Sequence, residues 1–318
     1  MPTITTPDGV KIFYKDWGSG QPIVFSHGWP LSADDWDAQM MLFLHHGYRV
    51  IAHDRRGHGR SEQVGTGNDM DHWVAYLAAL TEHLGVRDAI HIGHSTGGGE
   101  VARYVARHQE RVAKAVLVAS LTPNMVKTDA NPAGQPQEWF DAVKSGMLGN
   151  RSEFYRAVPE GPFYGFNRPG AKPSEAVIAN WWRQGMAGSA QAHYETVFSW
   201  LEDYTEDLKK ITVPVLVMHG EDDQIVPFAS SVPRAVDLLA NGVLKTYPSF
   251  PHGIENAPSG FFRSLISKCA SENLRAERTP TTLRWNTVAE HDAKLGIHRH
   301  CPLLPGFDWF DRGASVDA

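Results

Sequence analysis

Four short apolar runs, at 22–25, 48–52, 89–92 and 115–119, are separated by segments with helical spacing at 34–45, 70–84 and 98–107. Each run is too short for a helix and lacks strict polar–apolar alternation, the pattern of strands buried on both faces. Strands that alternate with helices are joined by crossovers, and crossovers build a mostly parallel, doubly wound α/β sheet. Ahead of them, segments 3–6 and 10–17 flank Pro7-Asp8-Gly9, whose Asp-Gly pair marks a hairpin turn, so an opening hairpin is expected along one sheet edge.

The rhythm stops after Ser120. Residues 121–208 are rich in proline, glycine and aromatics and carry helical patterns without a buried-strand run, which predicts an inserted helical cap. Strands resume at 213–218 and 243–247 around a helix at 229–239, and a last helix is expected over 259–269. Beyond it the chain mixes prolines with scattered charge and shows no periodicity. The expected division is therefore a core of 1–120 and 209–271, a cap of 121–208, and an irregular, poorly ordered tail of 272–318.

Composition narrows the functions open to such a fold. With 36 acidic against 30 basic residues, the net charge of -6 gives no electrostatic reason to hold nucleic acid or an anionic membrane. Fourteen Phe, 10 Trp and 9 Tyr allow an aromatic-lined pocket for a small neutral ligand. Cys269 and Cys301 are the only cysteines, too few and too clustered for a disulfide framework or a four-ligand zinc site, and they suit a reducing cytoplasm. The N-terminus carries no basic stretch followed by an apolar run, so a protein that is neither exported nor membrane-inserted is expected. A homo-oligomer stays open.

The run at 89–92 leads into Gly93-His94-Ser95-Thr96-Gly97-Gly98-Gly99-Glu100, a Gly-x-Ser-x-Gly between a strand and a helix. A nucleophile presented on so tight a turn adopts a strained backbone, and Gly93 and Gly97 let neighbouring chain pass closely. Ser95 then stands at a helix N-terminus, where the Thr96 backbone N–H can face a developing oxyanion. A second donor must come from the loop after an earlier strand, and the Trp29 N–H in Ser26-His27-Gly28-Trp29-Pro30 has that placement.

A serine hydroxyl is un-ionised near neutral pH, so it needs a base within reach and an acid that fixes the base's tautomer. Glu221, Asp222 and Asp223 follow the strand at 213–218, on a loop at the carboxyl end of the sheet, and of the three Asp223 is favoured. His252, next to Gly253 after the final strand, alone among 16 histidines combines such a placement with a flanking glycine. Ser95, Asp223, His252 is the chain order used by this fold for a nucleophile, acid and base.

With these residues in place, the chain resembles the α/β-hydrolase superfamily, and within it the cofactor-free bacterial haloperoxidases (non-haem chloroperoxidases), perhydrolases and aryl esterases. The tokens that carry the resemblance are FSHGWP (25–30), DRRGHGRS (54–61), GHSTGGGE (93–100), PFYGFN (162–167) and HGEDDQIVP (219–227), spread over about residues 3–253. The resemblance implies an α/β-hydrolase fold, a triad of Ser95, Asp223 and His252, and oxyanion donors at the Trp29 and Thr96 backbone N–H groups. It implies hydrolysis of small carboxylic esters through an acyl-enzyme. It also implies formation of peracids from a carboxylic acid and hydrogen peroxide, which then oxidise halide with no cofactor and no metal. Pro30, lacking an N–H and fixed in φ, is expected to place the Trp29 carbonyl to accept a hydrogen bond from peroxide. Beyond Gly253 the chain departs from the pattern of its relatives.

Plainer readings stand beside these. Ser95 could be a helix-capping serine, Asp223 a turn carboxylate, and 54–61 a turn held by local salt bridges. His291, His298, His300 and Cys301 show no recognised metal-ligand spacing. A serine nucleophile argues against dehalogenase or epoxide-hydrolase chemistry, which needs a carboxylate. Lactonase or amidase activity, or a ligand-binding receptor with weak hydrolysis, stays open.

Overall fold

The computed structural model describes residues 1–254. The helix expected at 259–269 and the tail at 272–318 lie outside the described residues, as do Cys269, His291, His298, His300 and Cys301.

The elements in chain order are β1 (Thr3–Thr5), β2 (Lys11–Trp17), β3 (Pro22–Ser26), α1 (Asp37–His45), β4 (Arg49–His53), α2 (Met70–His83), β5 (Ala89–His94), α3 (Thr96–His108) and β6 (Val112–Val118). They continue with α4 (Gln137–Glu160), α5 (Glu175–Ala187), α6 (Ala190–Ser199), α7 (Thr205–Lys210), β7 (Val215–Gly220), α8 (Phe228–Leu238) and β8 (Gly242–Tyr247). The strands form one sheet in the order β1-β2-β4-β3-β5-β6-β7-β8, antiparallel at β1–β2 and β2–β4 and parallel from β4 onward. The opening hairpin thus forms one edge, turned by Gly9 at φ 88° with the Gly9 N–H donating to the Thr6 carbonyl at 2.9 Å.

The central strands read as unbroken apolar runs because successive side chains feed two buried faces. Val24, Ile51, Leu117 and Val217 join one cluster, together with Trp73 and Leu77 of α2 and Val101 of α3. Ile23, Val50, Val116 and Leu216 join the other, with Phe43 of α1 and Trp36 from the 3₁₀ turn before it.

Helix and strand ends differ from the sequence expectation where side chains intervene. β7 begins at Val215 rather than at residue 213, after Pro214, which has no N–H to give to a ladder. α3 begins at Thr96, so Gly97, Gly98 and Gly99 occupy its first turn. Between β6 and β7 lie α4 to α7. α4 is broken at Asn150 (φ -147°, ψ 93°), whose side chain recaps the second half by accepting from the Glu153 N–H at 3.2 Å. Phe140, Tyr155, Trp181 and Trp200 from this segment extend the α2/α3-side cluster.

Candidate active site

Ser95 sits between β5 and α3 at φ 54°, ψ -117°, a left-handed backbone that a serine adopts only when its surroundings enforce it. The surroundings are visible. The Ser95 N–H donates to the Val118 carbonyl at 2.9 Å, and the Ser95 carbonyl accepts from Gly98 at 2.9 Å. A Cβ at Gly93 would fall 2.1 Å from the Gly97 carbonyl oxygen, and one at Gly97 would fall 2.2 Å from that of Ser26. Both glycines are therefore required by close backbone approach, as the motif implied.

The loop after β3 meets Ser95 because Gly28 is small: a Cβ there would lie 3.4 Å from that of Ser95 and 2.7 Å from His94 Nδ1. His27 shapes the turn. Its Nε2 accepts from the Arg55 backbone N–H at 3.0 Å, which leaves the proton on Nδ1 to donate to the Gly28 carbonyl at 2.8 Å. Burial, followed by the nearby Arg55 charge, keeps the His27 pKa well below its ordinary value, so the ring is neutral. Trp29 follows, with its indole N–H donating to the His193 carbonyl at 3.1 Å and its ring edge-on to Trp200 and Tyr155. Among the described residues no acceptor takes the backbone N–H of Trp29 or Thr96. Pro30 is buried toward the helical segment, where a Cβ at Gly185 would lie 3.1 Å from its ring, and the Trp29–Pro30 peptide is cis.

Asp223 and His252 arrive from the loops after β7 and β8. His252 Nδ1 lies 2.7 Å from Asp223 Oδ2, and Asp223 Oδ1 accepts from the Ile225 and Val226 N–H groups at 2.8 and 2.9 Å. His219 approaches the same carboxylate, with Nε2 3.2 Å from Oδ2. Burial alone would raise the Asp223 pKa, but the attraction of His252 and the hydrogen bonds from His219 and His252 overturn that and hold it well below the usual carboxylate range. Asp222 instead faces outward and pairs with Arg168, and Glu221 is exposed. His94, the residue before Ser95, packs against His252 with ring centroids 4.8 Å apart. Its pKa is driven well below the ordinary value by burial and then by His252, so it stays neutral there.

Trp29, Ser95, Thr96 and His252 line one cavity that opens to solvent. The rest of its described wall is apolar, including Trp139, Phe154, Phe163 and Trp181 from the segment between β6 and β7, and none of the described lining residues is charged. Among the described residues no group of His, Cys, Asp or Glu has the arrangement of a metal site. A serine that shares an apolar cavity with a carboxylate-held imidazole and with backbone N–H groups that no described acceptor takes can attack a neutral acyl carbonyl.

The sequence model of the family described as alpha/beta hydrolase fold matches residues 21–254. The chain belongs to that family. A non-heme haloperoxidase of Rhodococcus erythropolis is 62% identical over 256 residues, 80% of this chain and 93% of the relative. A bifunctional esterase/perhydrolase of Acinetobacter calcoaceticus is 60% identical over 258 residues, 80% of this chain and 94% of the relative. Among solved structures, a bromoperoxidase from Bacillus anthracis superposes with a TM-score of 0.79 at 29% identity, covering 84% of this chain and 99% of that one.

Sequence reasoning missed other contacts around the site. The segment 54–61 is held only partly by local pairs. Asp54 does bind Arg60, Nε to Oδ2 at 2.8 Å, but Arg56 reaches Asp8, and Arg55 reaches Glu100 on α3 at 2.6 Å with His53 on the other carboxylate oxygen at 2.9 Å. Burial would raise the Glu100 pKa, and Arg55 with His53 holds it low instead, so the carboxylate is ionised in the interior. The Glu100 in GHSTGGGE was the available clue, since a carboxylate on the buried face of the nucleophile helix requires a cation. His193, packed on His58 at 4.3 Å and bonded to the Tyr155 hydroxyl at 2.8 Å, had none.

Proposed function

We propose that this hydrolase cleaves small neutral carboxylic esters through a Ser95 acyl-enzyme and passes the acyl group to water or hydrogen peroxide. His252 removes the Ser95 proton as the hydroxyl oxygen attacks the carbonyl, the Trp29 and Thr96 N–H groups receive the oxyanion, and His252 returns the proton to the departing alcohol. Water then attacks the acyl-enzyme with His252 again as base, releasing acid and Ser95; peroxide in the same place releases a peracid. Asp223 keeps the Nδ1 proton of His252 in place and stabilises the imidazolium. The peracid, once free, oxidises halide to hypohalous acid and returns to the carboxylic acid.

One observation supports this most directly: a buried carboxylate, itself fixed by two backbone N–H groups, lies 2.7 Å from a histidine that shares a cavity with a strained serine. The esterase/perhydrolase and haloperoxidase relatives support both acyl acceptors. In this account residues 121–208 are the cap that walls the acyl pocket, and 1–120 with 209–254 form the described part of the core, the expected remainder to 271 lying outside the described residues. Pro30 fixes the Trp29 carbonyl as the acceptor for peroxide, and Pro30→Leu should lower the ratio of perhydrolysis to hydrolysis; an unchanged ratio removes Pro30 from that role. No helix among the described residues is long and apolar enough to cross a membrane, and the scarcity of cysteine supports a cytoplasmic enzyme.

The test is p-nitrophenyl acetate hydrolysis beside peroxide-dependent bromination in acetate buffer, on wild type and Ser95→Ala. Loss of both activities together is expected. Bromination that survives in Ser95→Ala would overturn the shared acyl-enzyme.

A further inference from the structure

The turn between α4 and α5 touches the acid and base loops together. The Phe163 carbonyl accepts from the N–H of Gly253, the residue after His252, at 2.7 Å. A Cβ at Gly253 would lie 2.5 Å from the Tyr164 ring, so the two segments are in close contact there. Four residues further along the turn, Asn167 and Gln224 exchange two side-chain hydrogen bonds of 3.0 Å each. Arg168 then forks onto Asp222, Nε to Oδ2 at 2.7 Å with Nη2 on Oδ1. Asp222 and Gln224 are the immediate neighbours of Asp223, so consecutive residues of the turn hold the chain on both sides of the acid.

We propose that residues 163–168 are the positioning element for the acid–base pair, with Asn167 and Arg168 setting where Asp223 stands relative to His252. This rests on the assignment of Asp223 and His252 as acid and base. Other bonds tie the two loops to each other, Glu221 N–H to the Tyr247 carbonyl at 3.0 Å and Asp222 N–H to that of Phe250 at 3.1 Å, but these fix backbone at the strand ends. The turn adds side-chain contacts at the two residues flanking the carboxylate. Arg168 and Asp222 have side chains 44% and 35% exposed, and an ion pair so open to solvent adds little to stability. Its fork geometry instead fixes direction.

A structural role and a positioning role differ in the sign of one observable. Among the described residues, the titratable groups against His252 are Asp223 from the loop after β7, with His219 behind it, and His94 from the end of β5. Removing the Arg168 charge would, by long-range electrostatics alone, move the acid limb of the kcat/KM profile to higher pH. Loosening Asp223 from His252 removes the partner that stabilises the imidazolium and moves that limb to lower pH.

The experiment compares wild type, Asn167→Ala, Arg168→Ala and the double variant in p-nitrophenyl acetate hydrolysis across the acid limb of the kcat/KM profile, with thermal melts in parallel. Because misplacement by about 1 Å can cost roughly 100-fold, a partial release in the double variant should lower kcat about tenfold with KM near wild type. The acid limb should move to lower pH and the melting temperature should hold. The charge-exchanged pair Arg168→Asp with Asp222→Arg should recover most of the loss from Arg168→Ala. An unchanged kcat, an acid limb moving to higher pH, or kcat and melting temperature falling together without rescue would overturn the proposal. Ser95→Ala and His252→Ala run alongside: if they keep activity, the underlying acid–base assignment fails; if they lose it while the turn variants do not, only the turn's role fails.

Discussion

Replacing Glu100 by alanine should expose how the interior behind the nucleophile helix is held. Its carboxylate meets Arg55 Nε at 2.6 Å and His53 Nε2 at 2.9 Å, and none of the three side chains is more than 2% exposed. The variant leaves a guanidinium in the interior without its counter-charge, and breaking a buried pair in this way costs about 3–5 kcal/mol. One kcal/mol moves the melting temperature of a domain of this size by about 2–4 °C, so a loss of roughly 6–20 °C is expected. Thermal melts and urea midpoints at pH 7.5 measure it. Arg55→Met with Glu100→Leu removes both charges and should regain most of the stability, because an apolar pair of similar volume is often as good as a buried ion pair. His53 loses its acceptor in both variants and does not separate them. A Glu100→Ala loss below about 1 kcal/mol, the range of an exposed pair, would refute the reasoning. A double variant no more stable than the single one would do the same.

Asp223→Asn should lower kcat for p-nitrophenyl acetate by about 10⁴-fold, since the amide turns a donor toward His252 and favours the wrong tautomer; a loss under about tenfold would move the acid role elsewhere. Stability should fall steeply with acid. His58 and His91 are neutral in the fold with pKa values lowered by burial to about 3, whereas the unfolded chain protonates them near 6.5. The unfolded state then binds more protons, and these two alone remove about 3 kcal/mol per pH unit between roughly pH 5.5 and 4. His27, His94 and His193 have the same sign, and Asp223 and Glu100 add to it once the pH enters the ordinary carboxylate range. Urea midpoints that stay flat from pH 7 to 4.5 would contradict this. Gly97→Ala should cost about 1–3 kcal/mol and most of the activity, because the new Cβ meets the Ser26 and His27 carbonyls at 2.2 and 2.7 Å, between the nucleophile turn and the oxyanion loop. Wild-type kcat in that variant would show that the turn can relax.

What could be read in the sequence was what is local. The buried strands announce themselves because Ile23 and Val24, or Leu216 and Val217, serve opposite faces of a sheet covered on both sides, leaving no polar position to interrupt the run. The nucleophile turn is legible because its steric demands fall on residues within two positions of Ser95. In the structure the start of α2 is fixed by Asp69, which accepts from the His72 N–H at 3.0 Å.

The rest depends on partners that lie far apart in the chain. Trp29 bonds to His193 across 164 residues, Arg55 to Glu100 across 45, and Arg168 to Asp222 across 54, and no periodicity links the members of such pairs. Asp222 and Asp223 show the limit clearly. Adjacent and alike in sequence, they point opposite ways, one to Arg168 at the surface and one to His252 in the interior. The loop turns tightly enough for the Asp223 side chain to accept from the backbone of Ile225 and Val226, and that inward turn gives one carboxylate a buried, hydrogen-bonded setting and the other a solvated one. The core therefore carries Ser95, Asp223 and His252 at strand ends that the sequence marks. The segment between β6 and β7 supplies contacts to two of the loops there, His193 to Trp29 and Arg168 to Asp222, and those contacts exist only after folding.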